Sequence, residues 1–296
     1  MAAGEGCDIL ILSEQISDIA MAAKYNITLT ACSLREIEYI INKAEKLGAT
    51  VNVHIKADSG MNRLGVKDFA EFKKMLELCR RSEISLKGIY THFADCGDTE
   101  FTDRQYNTFL SYVKLAKRLF PDITAHCASS AAVFKDKKYH LDMVRAGINL
   151  FGYCDGYARQ KGILLKPAME VSAKVAAVKK AFRGESIGYL RGCFVKKDTY
   201  YAVINAGYGD GYSRAFSNKG SVSIGGKVFG VAGNICMDNF MVDLGGCCHD
   251  IKAGDRALLF SPYGDRRLTF EYNSKILNTI VYEMLTSFKA AFRKYI

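Results

Sequence analysis

The densest polar cluster of the sequence spans residues 56–63, Lys-Ala-Asp-Ser-Gly-Met-Asn-Arg, and directly follows an apolar run of strand length. A lysine that leaves a strand could form a Schiff base with a carbonyl compound, and Arg63 could bind a carboxylate through two parallel N–H groups. A solvated loop with turn glycines would have the same composition. Spacing alone therefore makes Lys56 and Arg63 candidate site residues, beside the more ordinary interpretation of a surface loop.

Three further polar groups follow apolar segments. His92 could form a hydrogen bond or stack on a ring, although a lone histidine is more often structural. Ser129 and Ser130 stand where a helix could begin, which suits either a phosphate or an ordinary N-cap. Arg145 lies among apolar residues, and a buried guanidinium needs a ligand atom or a carboxylate close by.

The second half of the chain holds three weaker candidates. Tyr189 follows Gly188 in a glycine-flanked segment, residues 205–212 form a loop rich in Gly and Tyr, and Met237 with Asp238 follows a strand-like run. Glycine and tyrosine are common in β loops, so no single one of these segments indicates a function.

The elements that must position these residues differ between the two halves. The first half alternates apolar runs with segments of helical spacing, which predicts parallel strands, right-handed crossovers and polar groups at carboxyl strand ends, as in an α/β barrel. Ser33 and Glu36 form a capping-box pattern at the start of one helix. The predicted strands are residues 9–12, 27–32, 51–56, 86–93, 123–128 and 143–148, and the predicted helices are residues 14–24, 33–47, 69–79 and 106–120.

After about Tyr153 the pattern changes to alternation with period two, separated by glycine turns. We therefore predict an α/β plus all-β protein: an incomplete α/β barrel over residues 1–158, and an antiparallel β domain over residues 159–296. The predicted strands of the second domain are residues 169–177, 201–206, 221–224, 227–232 and 240–244.

Composition excludes several classes of protein. The 296 residues are 49% hydrophobic and 24% charged, a globular balance that excludes disordered and collagen-like chains. The formal charge of +10 is scattered, so nucleic-acid binding is not expected. No run is long enough for a membrane span and no signal peptide is visible, which predicts a cytoplasmic protein. The ten cysteines should then be mostly reduced, and Cys247-Cys248-His249 offers too few ligands for a metal site.

Taken in order, these segments resemble the alanine racemases, two-domain enzymes that use pyridoxal 5′-phosphate. The resemblance runs over essentially the whole chain and is carried by VHIKADSGMNRLG, THFAD, RAGINLFGY, the GYGDGY loop and GNICMDNFMVDL. It implies a (β/α)₈ barrel followed by a β domain, and two-base interconversion of L-alanine and D-alanine that supplies D-alanine for peptidoglycan. It also implies a homodimer whose active site is shared across the interface.

The resemblance assigns roles to the candidates of the first domain. Arg63 would contact the substrate carboxylate, supported by Lys56, which in the family is often carbamylated and is not the Schiff-base lysine. His92 would lie against the cofactor ring, and Arg145 would face the ring nitrogen, where its charge disfavours protonation. The implied phosphate contacts are Ser130, Gly147, Ile148 and Tyr282, and Ser129 departs from the usual asparagine.

In the second domain the resemblance identifies Tyr189 as the group that takes the α-proton from L-alanine. Tyrosine is a weak base near its usual pKa of about 10, so neighbouring cations such as His92 and Arg63 are expected to assist it. Met237 would line the substrate site from the partner subunit, with Asp238 beside it.

One family element has no counterpart in these residues. The Schiff-base lysine lies on the first barrel strand in a Val-Lys-Ala-Asn-Ala-Tyr-Gly-like stretch, which is absent from the sequence. Six predicted strands against the eight of a barrel agree with this, and we expect the first two βα units, roughly 70 to 80 residues, to be missing. Three alternatives follow: a racemase whose N-terminal segment lies outside this sequence, a truncated inactive homologue, or a non-catalytic protein that binds pyridoxal phosphate or amino acids.

Overall fold

The computed structural model describes residues 6–13, 18–154 and 156–288. The chain divides into two compact units, Met1–Leu165 and Lys166–Ile296. The predicted domain boundary between residues 158 and 159 stays a prediction. Within the described residues, no helix is both long and apolar enough to cross a membrane.

The first unit contains, in its described part, a five-stranded parallel sheet in the order β1-β2-β3-β4-β5. Its helices follow the strands along the chain, as the alternating pattern predicts. The strands are β1 Ile9–Leu10, β2 Ile27–Ala31, β3 Val51–Lys56, β4 Ile84–Tyr90 and β5 Thr124–His126, and the α-helices are α1 Ile19–Lys24, α2 Leu34–Leu47, α3 Phe69–Leu78, α4 Thr99–Leu119, α5 Ser130–Lys135 and α6 Gly156–Gln160. The predicted start of the first helix at Glu14 lies outside the described residues.

Helix α2 shows how the sequence builds this unit. The Ser33 hydroxyl accepts the backbone N–H of Glu36 at 3.3 Å, while the Glu36 carboxylate accepts the N–H of Cys32, so two backbone donors around the helix start are satisfied. Gly48 ends the helix in the left-handed conformation with φ 60°. Its buried face, at helical spacing, consists of Ile37, Ile40, Ile41 and Ala44.

The predicted strand over residues 143–148 is not formed, which corrects the expected count of six strands. A single bridge joins Ser129 to Arg145, and a 3₁₀ helix follows at Ile148–Phe151. Gly147, with φ −108° and ψ −90°, leaves the extended conformation just after the bridge, so the ladder cannot continue.

The second unit is a closed antiparallel barrel in the order β10-β11-β12-β9-β6-β13. Its core stacks Tyr212 on Phe240 at 4.5 Å between ring centroids, and Phe260 on Phe270 at 4.8 Å. The observed bounds of β10 and β11 equal the predicted ones. The strands are β6 Val171–Ala181, β7 Ser186–Ile187, β8 Cys193–Phe194, β9 Thr199–Ile204, β10 Ser221–Ile224, β11 Lys227–Ala232, β12 Phe240–Gly245 and β13 Arg256–Phe260, and the α-helices are α7 Phe270–Ile276 and α8 Val281–Ser287.

Candidate functional site

Three strands of the first unit end side by side and place three polar residues in one row. Lys56 at the end of β3 is paired in register with Tyr90 of β4, which is paired in turn with His126 of β5. The strands are parallel, so their carboxyl ends share one edge of the sheet. His92 and Arg145 lie on the segments that follow, which makes this edge the polar centre of the unit.

Arg145 is anchored at this edge by neutral acceptors. Its Nη1 donates to His126 Nδ1 at 2.6 Å, and its Nη2 donates to the carbonyl oxygens of Thr91 at 2.7 Å and Cys127 at 3.2 Å. The guanidinium also lies 5.1 Å from the centre of the Tyr90 ring. Burial lowers the pKa of Arg145, yet arginine keeps its proton at any relevant pH. No carboxylate pairs with this side chain in the described part of the chain, so its positive charge is not neutralised.

His92 is half-buried beside that charge. Its Nδ1 lies 3.4 Å from Arg145 Nη2. Burial first, and then the charges of Arg145, Arg63 and Lys56, lower the pKa of His92 to about 4. The imidazole is therefore neutral at pH 7, which corrects the expectation that His92 acts as a cation beside a tyrosine.

The loop that carries Arg63 is folded back onto β3. Val66 N–H donates to the Lys56 carbonyl at 2.9 Å, and the Asp58 carboxylate accepts the N–H groups of Gly60 at 2.9 Å and Asn62 at 3.0 Å. Lys56 is 4% exposed and its ammonium lies 5.6 Å from the Tyr90 ring centre, whereas Arg63 is exposed. Lys56 at the end of β3 and Arg63 on the loop that follows thus lie close enough for their charges to act on His92.

Ser130 and Gly147 meet near the start of α5. Ser130 is buried, and its Oγ accepts the Gly147 N–H at 2.9 Å. Asn149 Nδ2 donates to the Ser130 carbonyl at 2.9 Å, which fixes the buried Ile148 at the start of its 3₁₀ helix. A Cβ placed on Gly147 would meet only Ser130 Oγ, at 3.5 Å, within 4 Å. Space for a ligand therefore remains in front of this backbone, and Ser129 caps α5 without a side-chain bond.

Tyr189 lies at an exposed turn between β7 and β8. The residues after it, Leu190 with φ 57° and Arg191 with φ 53°, are both left-handed, an uncommon conformation for residues with side chains. Asn234 Nδ2 donates to the Tyr189 carbonyl at 2.8 Å. The backbone of this turn is therefore fixed, while the Tyr189 side chain is 71% exposed.

A second loop pair of this unit holds Met237 and Asp238. The Gly209 N–H donates to the Met237 carbonyl at 2.9 Å, and a Cβ on Gly207 would lie only 2.1 Å from that oxygen, so glycine is required for the close approach. Met237 is 55% exposed. Tyr282, on α8, is 49% exposed. Tyr189, Met237 and Tyr282 are thus presented on the surface of their own unit.

Cys247 and His249 lie together in the second unit. Cys247 Sγ is 3.2 Å from His249 Nδ1, and Lys227 Nζ is 3.1 Å from the same nitrogen. Across the described residues, no three His, Cys, Asp or Glu side chains are arranged to hold a metal ion.

Around Arg145 lie three residues to which no sequence pattern assigned a role, His54, Tyr90 and His126. His54 is a strand residue, and its Nδ1 lies 2.9 Å from His126 Nε2 although 72 residues separate the two in sequence. The available signal was a histidine inside an apolar strand run, which by itself does not tell a ligand from a core residue.

Comparison with known proteins gives one family. Profiles described as "Alanine racemase, N-terminal domain" and "Alanine racemase, C-terminal domain" match residues 1–155 and 168–296. An alanine racemase of Desulforamulus reducens is 36% identical over 294 residues, which cover 96% of this chain and 77% of that protein. The structure of alanine racemase from Clostridium difficile 630 is similar with TM-score 0.86 and 33% identity, over 95% of this chain and 74% of the other. That of Bartonella henselae alanine racemase, with covalently bound pyridoxal phosphate, has TM-score 0.79 and 26% identity over 97% and 78%.

Proposed function

This chain belongs to the alanine racemase family, and we propose that its first unit holds the cofactor and the substrate carboxylate while its second unit carries Tyr189 as an acid–base group. The protein is an amino-acid racemase that interconverts L-alanine and D-alanine with pyridoxal phosphate. The finer assignments below are proposals for individual residues.

The observation that carries the assignment of the first unit is the donor set of Arg145. Two of its nitrogens donate to neutral groups, and its Nε–H has no acceptor among the described residues. A pyridine nitrogen is an acceptor that such a donor fits, provided that the nitrogen is unprotonated. A cation held there disfavours a proton on the ring nitrogen, because two positive charges would be adjacent.

The other end of the cofactor is a phosphate, and the Ser130 region fits it. The Ser130 hydroxyl already accepts the Gly147 N–H and, within the described residues, donates to no acceptor. Ile148 begins a helical turn, where the first backbone N–H groups have no intrahelical partner. We assign the phosphate to Ser130, Gly147 and Ile148, with Tyr282 as a further contact that rests on the family resemblance.

The reaction requires a proton to leave and return at Cα of the substrate. When bound, pyridoxal phosphate supplies an electron sink for the pair released from that bond. Tyr189 takes the proton on the L-alanine face through its phenolic oxygen. Arg63 binds the substrate carboxylate, Lys56 supports Arg63, and neutral His92 lies against the ring and carries no charge of its own at pH 7. Met237, with Asp238 beside it, lines the substrate site.

The remaining features of the proposal follow from the family resemblance. We propose a (β/α)₈ barrel for the complete first domain, a homodimer in which Tyr189 and Met237 serve the partner's site, and a cytoplasmic enzyme that supplies D-alanine for peptidoglycan. The domain limits of residues 1–158 and 159–296 belong to the same proposal.

The alternative to this proposal is a protein of the same family that binds pyridoxal phosphate or an amino acid without turnover. The 296 residues contain no stretch resembling the family's Val-Lys-Ala-Asn-Ala-Tyr-Gly segment, whose lysine is the second base. The two candidates agree on the phosphate and ring contacts and differ only in turnover.

The test is to measure binding of pyridoxal phosphate to the purified chain by calorimetry, and then to reduce the mixture with borohydride and map any modified lysine by peptide mass spectrometry. Formation of D-alanine from L-alanine is measured on the same preparation. A modified lysine together with turnover supports the racemase. Binding without turnover supports the second candidate, and absence of both contradicts the proposed cofactor site.

A further inference from the structure

Two buried imidazoles, His54 and His126, have no part in the proposed chemistry yet lie directly behind Arg145. His54 Nδ1 and His126 Nε2 are 2.9 Å apart, and both rings are buried. The two residues are on β3 and β5, and β4 passes between them with Gly88 at the crossing. A Cβ on Gly88 would lie 2.5 Å from His54 Cε1, so only glycine leaves room for this contact.

The direction of each hydrogen bond follows from Arg145. Arginine can only donate, so His126 Nδ1, 2.6 Å from Nη1, must be the acceptor and carries no hydrogen. The hydrogen of neutral His126 is then on Nε2 and is donated to His54 Nδ1, which leaves the His54 hydrogen on Nε2. One charged group thus fixes the tautomers of two rings in succession.

Burial and the charge of Arg145 both favour the neutral forms of these rings. Burial first and then the charge of Arg145 lower the pKa of His54 to about 4, and the same causes, with a smaller contribution from His54, lower that of His126 to about 2. Tyr90 stacks on His126 with ring centres 4.8 Å apart and planes 10° apart, and it faces His54 at 6.5 Å. Burial raises the pKa of Tyr90 to about 12, so this neighbour is uncharged as well.

We propose that His126 is a positioning residue which, held in one tautomer by His54, orients the Arg145 guanidinium toward the cofactor ring without neutralising its charge. The orientation toward a ring rests on the proposed function. The succession of fixed tautomers from Arg145 through His126 to His54, which we call the tautomer chain, does not. A carboxylate in place of His126 would bind arginine more tightly, but it would cancel the positive charge that keeps a proton off the ring nitrogen. A neutral imidazole accepts the hydrogen bond from Arg145 and brings no negative charge.

The tautomer chain is tested first, on the full chain without any ligand. Uniformly ¹⁵N-labelled protein is examined by long-range ¹H–¹⁵N correlation NMR from pH 8 to pH 5.5, with assignment by single histidine substitutions. Both rings should give the neutral Nε2–H pattern throughout, because their folded pKa values lie well below this range. A hydrogen on His126 Nδ1, or a charged ring at pH 7, would overturn the proposal.

Orientation of Arg145 is tested with two probes, pyridoxal phosphate and its 1-deaza analogue, in which the ring nitrogen is replaced by CH. His126→Phe keeps a flat ring on Tyr90 but removes the acceptor, whereas His126→Asn places an amide oxygen close to the position of Nδ1. His140→Phe is the control, because the His140 side chain, in the same unit, bonds only the Val133 carbonyl among the described residues. Dissociation constants are measured by calorimetry, and circular dichroism checks that each variant is folded.

We expect His126→Phe to weaken binding of pyridoxal phosphate about tenfold, which is the effect of losing one good hydrogen bond. The same substitution should change binding of the deaza analogue little, because that analogue has no ring nitrogen to accept from Arg145. His126→Asn should restore most of the affinity, and His140→Phe should change neither constant. An equal loss for both probes would show a purely structural role and overturn the proposal, as would no loss for either. If the parent binds neither probe, the proposed function fails together with the orientation toward a ring, while the NMR result still decides whether the tautomer chain exists.

Discussion

The two units hold their proposed site residues in opposite ways. In the first unit, His92 and Arg145 lie among bonded neighbours, and burial with adjacent cations lowers the pKa of His92 to about 4. In the second unit, Tyr189 and Met237 are largely exposed and are fixed through their backbones. The first unit therefore sets both the position and the protonation of its groups, whereas the second unit positions its groups through backbone contacts.

The largest effect is expected from Tyr189→Phe, which removes the hydroxyl that the second unit presents. Loss of a general acid–base group lowers turnover by roughly 10²- to 10⁴-fold, so kcat from L-alanine to D-alanine should fall by that amount with little change in KM. Both constants are measured by steady-state kinetics on a preparation that racemises alanine. Tyr263→Phe, at another exposed tyrosine of the same unit, is the matched control. Comparable kcat for Tyr189→Phe and parent would remove Tyr189 from the mechanism.

A change of pH should affect the first unit more than the second. His54, His92 and His126 have folded pKa values below 6.5, so below about pH 6.5 the unfolded chain binds more protons and stability falls as pH drops toward 4. Each fully buried histidine contributes at most about 1.4 kcal/mol per pH unit in this window. Urea unfolding at pH 7.5, 6.5 and 5.5, followed by hydrogen exchange in each unit, should show the loss in residues 18–154. His54→Phe should flatten the dependence, and an unchanged slope would contradict the neutral burial of this ring.

Gly88→Ala tests the packing on which the first unit depends. The new Cβ would lie 2.5 Å from both His54 Cε1 and the Thr124 carbonyl oxygen, and overpacking of this kind costs about 1–3 kcal/mol. The midpoint of denaturant unfolding should fall accordingly. Gly246→Ala is the control, because a Cβ there meets nothing within 4 Å. Equal midpoints for the two variants would show that the strands separate easily at this point.

The smallest effect is expected from Asn234→Ala, which removes the hydrogen bond to the Tyr189 carbonyl. An exposed bond of this type is worth about 1 kcal/mol, so we expect a loss of stability near that value. If position is what the second unit provides, kcat should also fall several-fold with KM retained. A loss of stability with unchanged kcat would show that the turn needs no such support.

The sequence predicted the alternating and antiparallel halves, and the observed bounds of β3, β10 and β11 equal the predicted ones. It missed β13, because residues 257–260 are continuously apolar and show no period of two. It also extended a sixth strand through Gly147, where the backbone turns away. Local sequence patterns indicate burial and periodicity, but they do not show at which residue a strand stops pairing with its neighbour.

The candidate site was predicted in a similarly uneven way. Arg145 and His92 were identified, and the structure brings their side chains to 3.4 Å. The pairing of His54 with His126 was not identified, because a contact across 72 residues depends on strand order and on the gap at Gly88. The neutral state of His92 was also missed, since its pKa is set by burial and by charges that the fold assembles.

The lengths of the outer strands bear on the behaviour of the protein in concentrated solution. In the described part of the chain, β1 and β5 are the outer strands of the parallel sheet and contain only two and three residues. An unpaired strand edge is a template on which another chain can add its own strand and start aggregation. Such short edges offer a neighbouring molecule few backbone groups for hydrogen bonding. In the barrel of the second unit the first and last strands of the sheet, β10 and β13, pair with each other, so that sheet has no free edge. Aggregation by strand addition is therefore limited in the first unit by the short outer strands and in the second unit by the closed barrel.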